Sequence, residues 1–195
     1  MPTETYSKLS QLHYYVDKHG KKKATNKINK ALEGTDYELE KLKRGIAVYR
    51  HKDGSSVLNV KGTDIKNKKD ILSDIKLGLG LSKHDKQFKS RKSQIKEHMK
   101  NEPSKSVTLV GHSLGGSIVT SSMAKSKSIR DNVKNAEVFN TGYTKEFNKE
   151  ISEGLNKEDK ALLKKKLVHH HTEGDIISSA LTGRGTIGRV KKIKT

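Results

Sequence analysis

Residues 106–119, SVTLVGHSLGGSIV, constrain this chain more than any other segment. The first five are an unbroken β-rich run, the pattern of a strand buried on both faces. The run from Ser117, SIVTSSMAKSK, suits a helix whose small side chains let it pack closely. Between them Gly111-His112-Ser113-Leu114-Gly115 matches G-x-S-x-G, a sharp strand-to-helix turn that lifts a serine hydroxyl to its apex. Such a turn strains the serine backbone, and its glycines leave room for the neighbouring strand and helix to approach. The helix start offers unsatisfied N–H groups and the positive end of the helix dipole. The Leu114 N–H is therefore placed to hold the oxyanion of a tetrahedral intermediate, with Ser113 as nucleophile.

The rest of the chain supplies the framework. GIAVYRHKDGSSVLNVKGTD carries Asp53-Gly54 between two short apolar runs, a hairpin signal with strands expected near Ile46–Arg50 and Ser56–Lys61. Residues 65–82 mix a short helical pattern with a glycine-bearing loop, a position that suits a lid. Leu81, Phe88, Ile95 and Met99 recur at seven- and four-residue steps, one face of a helix that Pro103 stops. Ala136–Asn140 and Leu167–His171 read as strands, and Asn156 caps a helix running to Lys166. Alternation of strands and helices through the second half argues for an α/β fold with a mainly parallel sheet and helices on both faces. The expected organisation is one domain: a Lys-rich N-terminal helical segment at 1–44, the α/β unit at 45–181, and a basic, glycine-containing tail at 182–195. Within the N-terminal segment, Lys21–Leu32 reads as a basic helix whose face is solvated.

Composition narrows the chemistry. Apolar residues make up 31% and charged residues 32% of the 195, so the core must be lean. The formal net charge is +19, a field that attracts anions. Of the 41 basic residues only six are arginine, whereas base readout and bidentate phosphate grips favour arginine. With aromatics at 5% and no nucleic-acid-binding motif, specific nucleic-acid recognition is not expected. The absence of cysteine excludes disulfides, Cys-ligated zinc and thiol catalysis. No basic start followed by an apolar run marks a signal peptide, and no stretch approaches the roughly 18 apolar residues of a membrane span. The expectation is a soluble or surface-associated protein. A cellular or a virus-associated setting, and the oligomeric state, stay open.

The elbow segment, together with VLNVKGTD and HMKNEP, resembles the class 3 (fungal-type) lipase family of the α/β-hydrolases. The resemblance spans roughly Gly45 to Leu181. It implies a lipase-like architecture, acylglycerol or phospholipid ester substrates and no metal or organic cofactor. It also implies that the Thr63 N–H, after Gly62, is the second oxyanion donor. The acid partner is implied in VHHHTEGDIISSAL, which makes it Asp175, and Asp74 resembles an aspartate of structural role. An anionic membrane would suit the basic surface, at about 1 kcal/mol per well-placed lysine.

One element departs from the pattern. The order in this superfamily is Ser, acid, His, yet no histidine follows Asp175. Three readings stand open. The chain ends before that histidine, and so lacks the C-terminal end of the architecture. Alternatively, His171 or His169, which share one face of a strand, serves as base. Or the domain is catalytically inactive and binds a membrane or a protein partner. His112, inside the elbow, is expected to pack rather than to act as base. The run His169-His170-His171 lacks a third ligand at metal-binding spacing, so polar strand-end residues are the expected reading. Gly183 to Gly188 fits G-x-G-x-x-G but without the flanking strand and helix that a dinucleotide fingerprint needs, so a flexible loop is expected.

Overall fold

The computed structural model describes residues 3–62, 85–102, 106–141, 145–172 and 186–193. Thr63, Asp74, Pro103, Asp175, the 65–82 stretch and the first glycines of the 183–188 run lie outside them. Two helices come first, α1 (Thr3–Leu12) and α2 (Tyr15–Leu32). They are followed by β1 (Tyr37–Leu42), β2 (Ile46–His51) and β3 (Ser56–Val60). Then come α3 (Asp85–Asn101), β4 (Val107–His112), α4 (Leu114–Lys125), α5 (Lys127–Asn132) and β5 (Asn135–Phe139). The chain continues with α6 (Lys145–Ser152), α7 (Lys157–Lys166), β6 (Leu167–Thr172) and β7 (Arg189–Ile193). The seven strands form one sheet in sequential order. The β1–β2 and β2–β3 pairs are antiparallel and the remaining four are parallel.

The β2–β3 hairpin turns where the Asp-Gly pair predicts, with Ile46 opposite Val60 and Arg50 opposite Ser56. Gly54 takes φ 84, and the Asp53 carboxylate accepts the Ser55 N–H at 2.8 Å. Asn156 caps α7 as expected, its side-chain oxygen accepting the Asp159 N–H at 2.8 Å.

Strand residues alternate between two apolar layers. Val48, Leu58, Val60, Val107, Leu109 and Val138 join the core built with Ile95 of α3, Ile118 and Met123 of α4, Phe147 and Ile151 of α6 and Leu163 of α7. Ala47, Tyr49, Val57, Val110 and Phe139 point the other way, onto Leu9 and Leu12 of α1 and Ala24, Ile28 and Leu32 of α2. The crossover helices thus cover one face and the N-terminal pair the other.

Two findings differ from the sequence reading. The helix through Lys21–Leu32 is not a wholly solvated face: Ala24, Ile28 and Leu32, four residues apart, are buried on the sheet while Lys21, Lys22 and Lys23 stay exposed. The basic stretch Arg189–Ile193, read as tail, pairs in parallel with β6 from Val168↔Arg189 to Thr172↔Ile193. It escaped because its side chains are exposed, so no alternation of apolar residues announces it.

Candidate active site

All five parallel strands end on one side, the edge where ligands bind in open α/β sheets. There β4 meets α4 at Ser113. Its backbone adopts φ 54, ψ −126, a conformation that costs a non-glycine residue about 1–3 kcal/mol. The surroundings over-determine it. The Ser113 N–H donates to the Phe139 carbonyl at 2.9 Å, extending the β4–β5 ladder one residue. The Ser113 carbonyl accepts from Gly116 (3.0 Å) and Ser117 (3.3 Å), the first turn of α4.

The glycines of the motif are explained by backbone, not by turn propensity. A Cβ on Gly115 would sit 2.1 Å from the Val60 carbonyl oxygen and 2.8 Å from the Gly62 nitrogen. A Cβ on Gly111 would sit 2.6 Å from the Gly115 carbonyl carbon and oxygen. The end of β3 is therefore laid directly against the first turn of α4. This brings Gly62 beside Gly115, and the N–H groups of Leu114 and Gly115 have no carbonyl a turn earlier in the helix to bond.

The Ser113 side chain is 5% exposed, and its hydroxyl makes no hydrogen bond to any described residue. His169 and His171 do share a face of β6, with near-parallel rings 6.4 Å apart. Neither engages Ser113. His169 is committed elsewhere: its Nε2 lies 2.9 Å from the Ile187 carbonyl, and burial holds its pKa down to about 3. His170, on the opposite face, pairs with the Glu137 carboxylate and stacks on Phe139. Among the described residues no three His, Asp or Glu side chains form a metal-ligand group. No helix there is long and apolar enough to cross a membrane.

His112 packs, as expected, but its partner is a residue the sequence did not flag. The Tyr14 hydroxyl, from the α1–α2 junction, lies 3.3 Å from His112 Nδ1, with the two rings edge to face. Its neighbour His13 is fully buried, with Nε2 2.8 Å from the Lys43 carbonyl. Burial lowers the His13 pKa to about 4, and the Lys61 and Arg91 charges push it the same way.

These two depressed histidines set an acid limit on stability. In the folded chain His13 and His169 stay neutral down to about 4 and 3. In the unfolded chain each protonates below about pH 6.5. The unfolded state then binds more protons, so stability is lost as pH falls from about 6.5 towards 4. The slope is up to about 1.4 kcal/mol per pH unit for each ring. Thermal unfolding at pH 7 and pH 5 measures this. A lower midpoint at pH 5, with a smaller drop in His13→Gln, is expected, and identical midpoints would contradict it.

The sequential, mainly parallel sheet and the strained serine at its strand-to-helix elbow define a lipase-like α/β-hydrolase domain. Residues 5–190 match the Tle-like phospholipase domain of the phospholipase-like group, and the chain belongs to that family. Among solved structures it is similar to a lipase from Rhizopus microsporus var. chinensis. The identity is 13% and the TM-score 0.47, over 90% of this chain and 67% of that one. It is also similar to lipase II from Rhizopus niveus, at 14% identity and TM-score 0.38, over 68% of this chain and 54% of the other. The chain thus spans about half of the latter. No curated protein matches it in sequence.

Proposed function

We propose that this domain is a serine hydrolase that cleaves acyl esters of phospholipids through an acyl-enzyme at Ser113. The observation that carries the reading is the strained Ser113 at the start of α4, its buried hydroxyl without a hydrogen-bond partner among the described residues. Strain of this kind persists where a fixed side-chain position is worth its cost. In the reaction the Ser113 oxygen bonds to the ester carbonyl carbon as its proton passes to a base. The N–H groups of Leu114 and Thr63 hold the oxyanion. Collapse expels the alcohol, which takes the proton back, and water then releases the fatty acid.

Asp175 is the acid that orients the base in this reading. Of the two histidines named from sequence, His171 is the better base. It lies two residues nearer the strand end that carries the site, whereas His169 is anchored to Ile187 with a pKa far below neutrality, a poor match to proton abstraction at pH 7. A second reading, a non-catalytic domain that binds an anionic membrane or a protein, is favoured by one fact: no described histidine touches the Ser113 hydroxyl.

Fatty-acid release from vesicles of phosphatidylcholine alone, and with about a third phosphatidylglycerol, separates the two. Release above a Ser113→Ala control, faster on the anionic vesicles because of the +19 charge, is the expected result. Vesicle binding without release would support the second reading and overturn the first.

A further inference from the structure

We infer that Tyr14 is a positioning residue for the oxyanion pocket, so that the N-terminal helical pair forms part of the active site. The inference rests on Ser113 being the nucleophile. The Tyr14 ring stands between the two backbone walls that must hold the oxyanion donors, the end of β3 and the elbow. On the β3 side its hydroxyl oxygen is 2.8 Å from where a Gly62 Cβ would be, and Lys61 Nζ lies 5.8 Å from its ring centroid. On the elbow side the hydroxyl reaches His112 Nδ1 at 3.3 Å and the His112 carbonyl at 3.5 Å, one residue before the nucleophile. The same Gly62 position faces the His112 carbonyl at 3.0 Å and the Gly115 nitrogen at 3.1 Å, so tyrosine, β3 and elbow converge on one point.

Tyr14 is itself held from behind. The α1–α2 junction is closed by Tyr14 N–H to Gln11 (3.1 Å) and Val16 N–H to His13 (3.1 Å). The buried His13 ring then fastens it to Lys43, in the β1–β2 connection. A junction pinned on one side to the hairpin and on the other to the elbow fixes the gap between Gly62, at the end of β3, and the start of α4 at Gly115. Oxyanion donors must stand within a few tenths of an ångström of their working positions, because misplacement by 1 Å costs roughly a hundredfold in rate.

The test is Tyr14→Phe, which keeps the ring in its packing and removes only the hydroxyl. Three quantities are compared with wild type at a temperature well below both unfolding midpoints. They are kcat and KM for p-nitrophenyl butyrate, the rate of Ser113 labelling by a fluorophosphonate, and the midpoints themselves. Labelling forms a P–O bond to the serine oxygen and releases the serine proton and fluoride. The expected result is a fall of roughly tenfold or more in kcat and in labelling rate, with KM and the folded structure retained. Equal kcat and equal labelling would overturn the role of Tyr14. So would a variant whose activity loss only tracks its unfolded fraction. Failure of the wild type to label at all would instead overturn Ser113 as nucleophile, which keeps the two failures apart.

Discussion

Ser113→Gly is expected to abolish ester hydrolysis and to make the protein more stable. At φ 54, ψ −126 a residue with a Cβ carries about 1–3 kcal/mol of strain, which glycine does not. The substitution also removes a buried hydroxyl that lacks a described partner, a group whose burial costs about 1–3 kcal/mol. Against this stand the extra flexibility of glycine in the unfolded chain, about 0.5–1 kcal/mol, and the small void left behind. The balance favours the variant by about 1–2 kcal/mol. At this chain length that raises the unfolding midpoint by a few degrees, at about 2–4 °C per kcal/mol. Activity moves the opposite way, by about 10⁴-fold or more, because the attacking atom is gone and only binding and the oxyanion donors remain. Calorimetry beside an ester assay reads both. A lower midpoint would contradict the account of stored strain, and retained hydrolysis would contradict the nucleophile.

Gly115→Ala is expected to destabilise the protein by several kcal/mol and to remove activity in whatever fraction stays folded. Its Cβ would fall 2.1 Å from the Val60 carbonyl oxygen, 2.8 Å from the Gly62 nitrogen and 3.0 Å from the Lys61 carbonyl carbon. Every one of these is backbone, so no side chain can rotate away and β3 and α4 must separate. Overpacking of this kind costs about 1–3 kcal/mol even where side chains give way. The better helix propensity of alanine returns only about 1 kcal/mol. Gly116→Ala is the internal comparison. Its Cβ would meet the Thr141 hydroxyl at 2.4 Å, on a side chain that makes no described hydrogen bond and can turn aside, and the Cβ atoms of Thr141 and Val138 at 3.3 Å, which need give only a few tenths of an ångström. Chemical denaturation of the two variants should rank Gly115→Ala as much the worse. Equal effects would mean that the β3–α4 approach is not what the motif glycine protects.

How far the sequence carried depended on whether a feature is written in local chemistry. The hairpin at Asp53-Gly54, the Asn156 cap and the elbow are each specified by residues within a few positions of one another, and each stands where those residues predict. β1 is hidden by its own irregularity. Tyr37, Leu39 and Leu42 would alternate but for the register shift between Leu39 and Lys41, which breaks the period of two. β7 is hidden by exposure, having almost no buried face to pattern. Tyr14 was out of reach for a different reason. Tyr14 sits in the short run Leu12-His13-Tyr14-Tyr15-Val16, where no spacing marks one tyrosine over the other, and its partner His112 is 98 positions away. Only the packing of α1 and α2 on the sheet makes the pair.

The central claim is that Ser113 is a reactive nucleophile in this chain, and covalent labelling tests it most directly. The purified 195-residue protein would be incubated with a fluorophosphonate beside Ser113→Ala, and the adduct located by peptide mass spectrometry. One phosphonate per chain is expected, carried on the peptide containing Ser113, with none on the variant. An unlabelled wild type, or a label on any other residue, would contradict it.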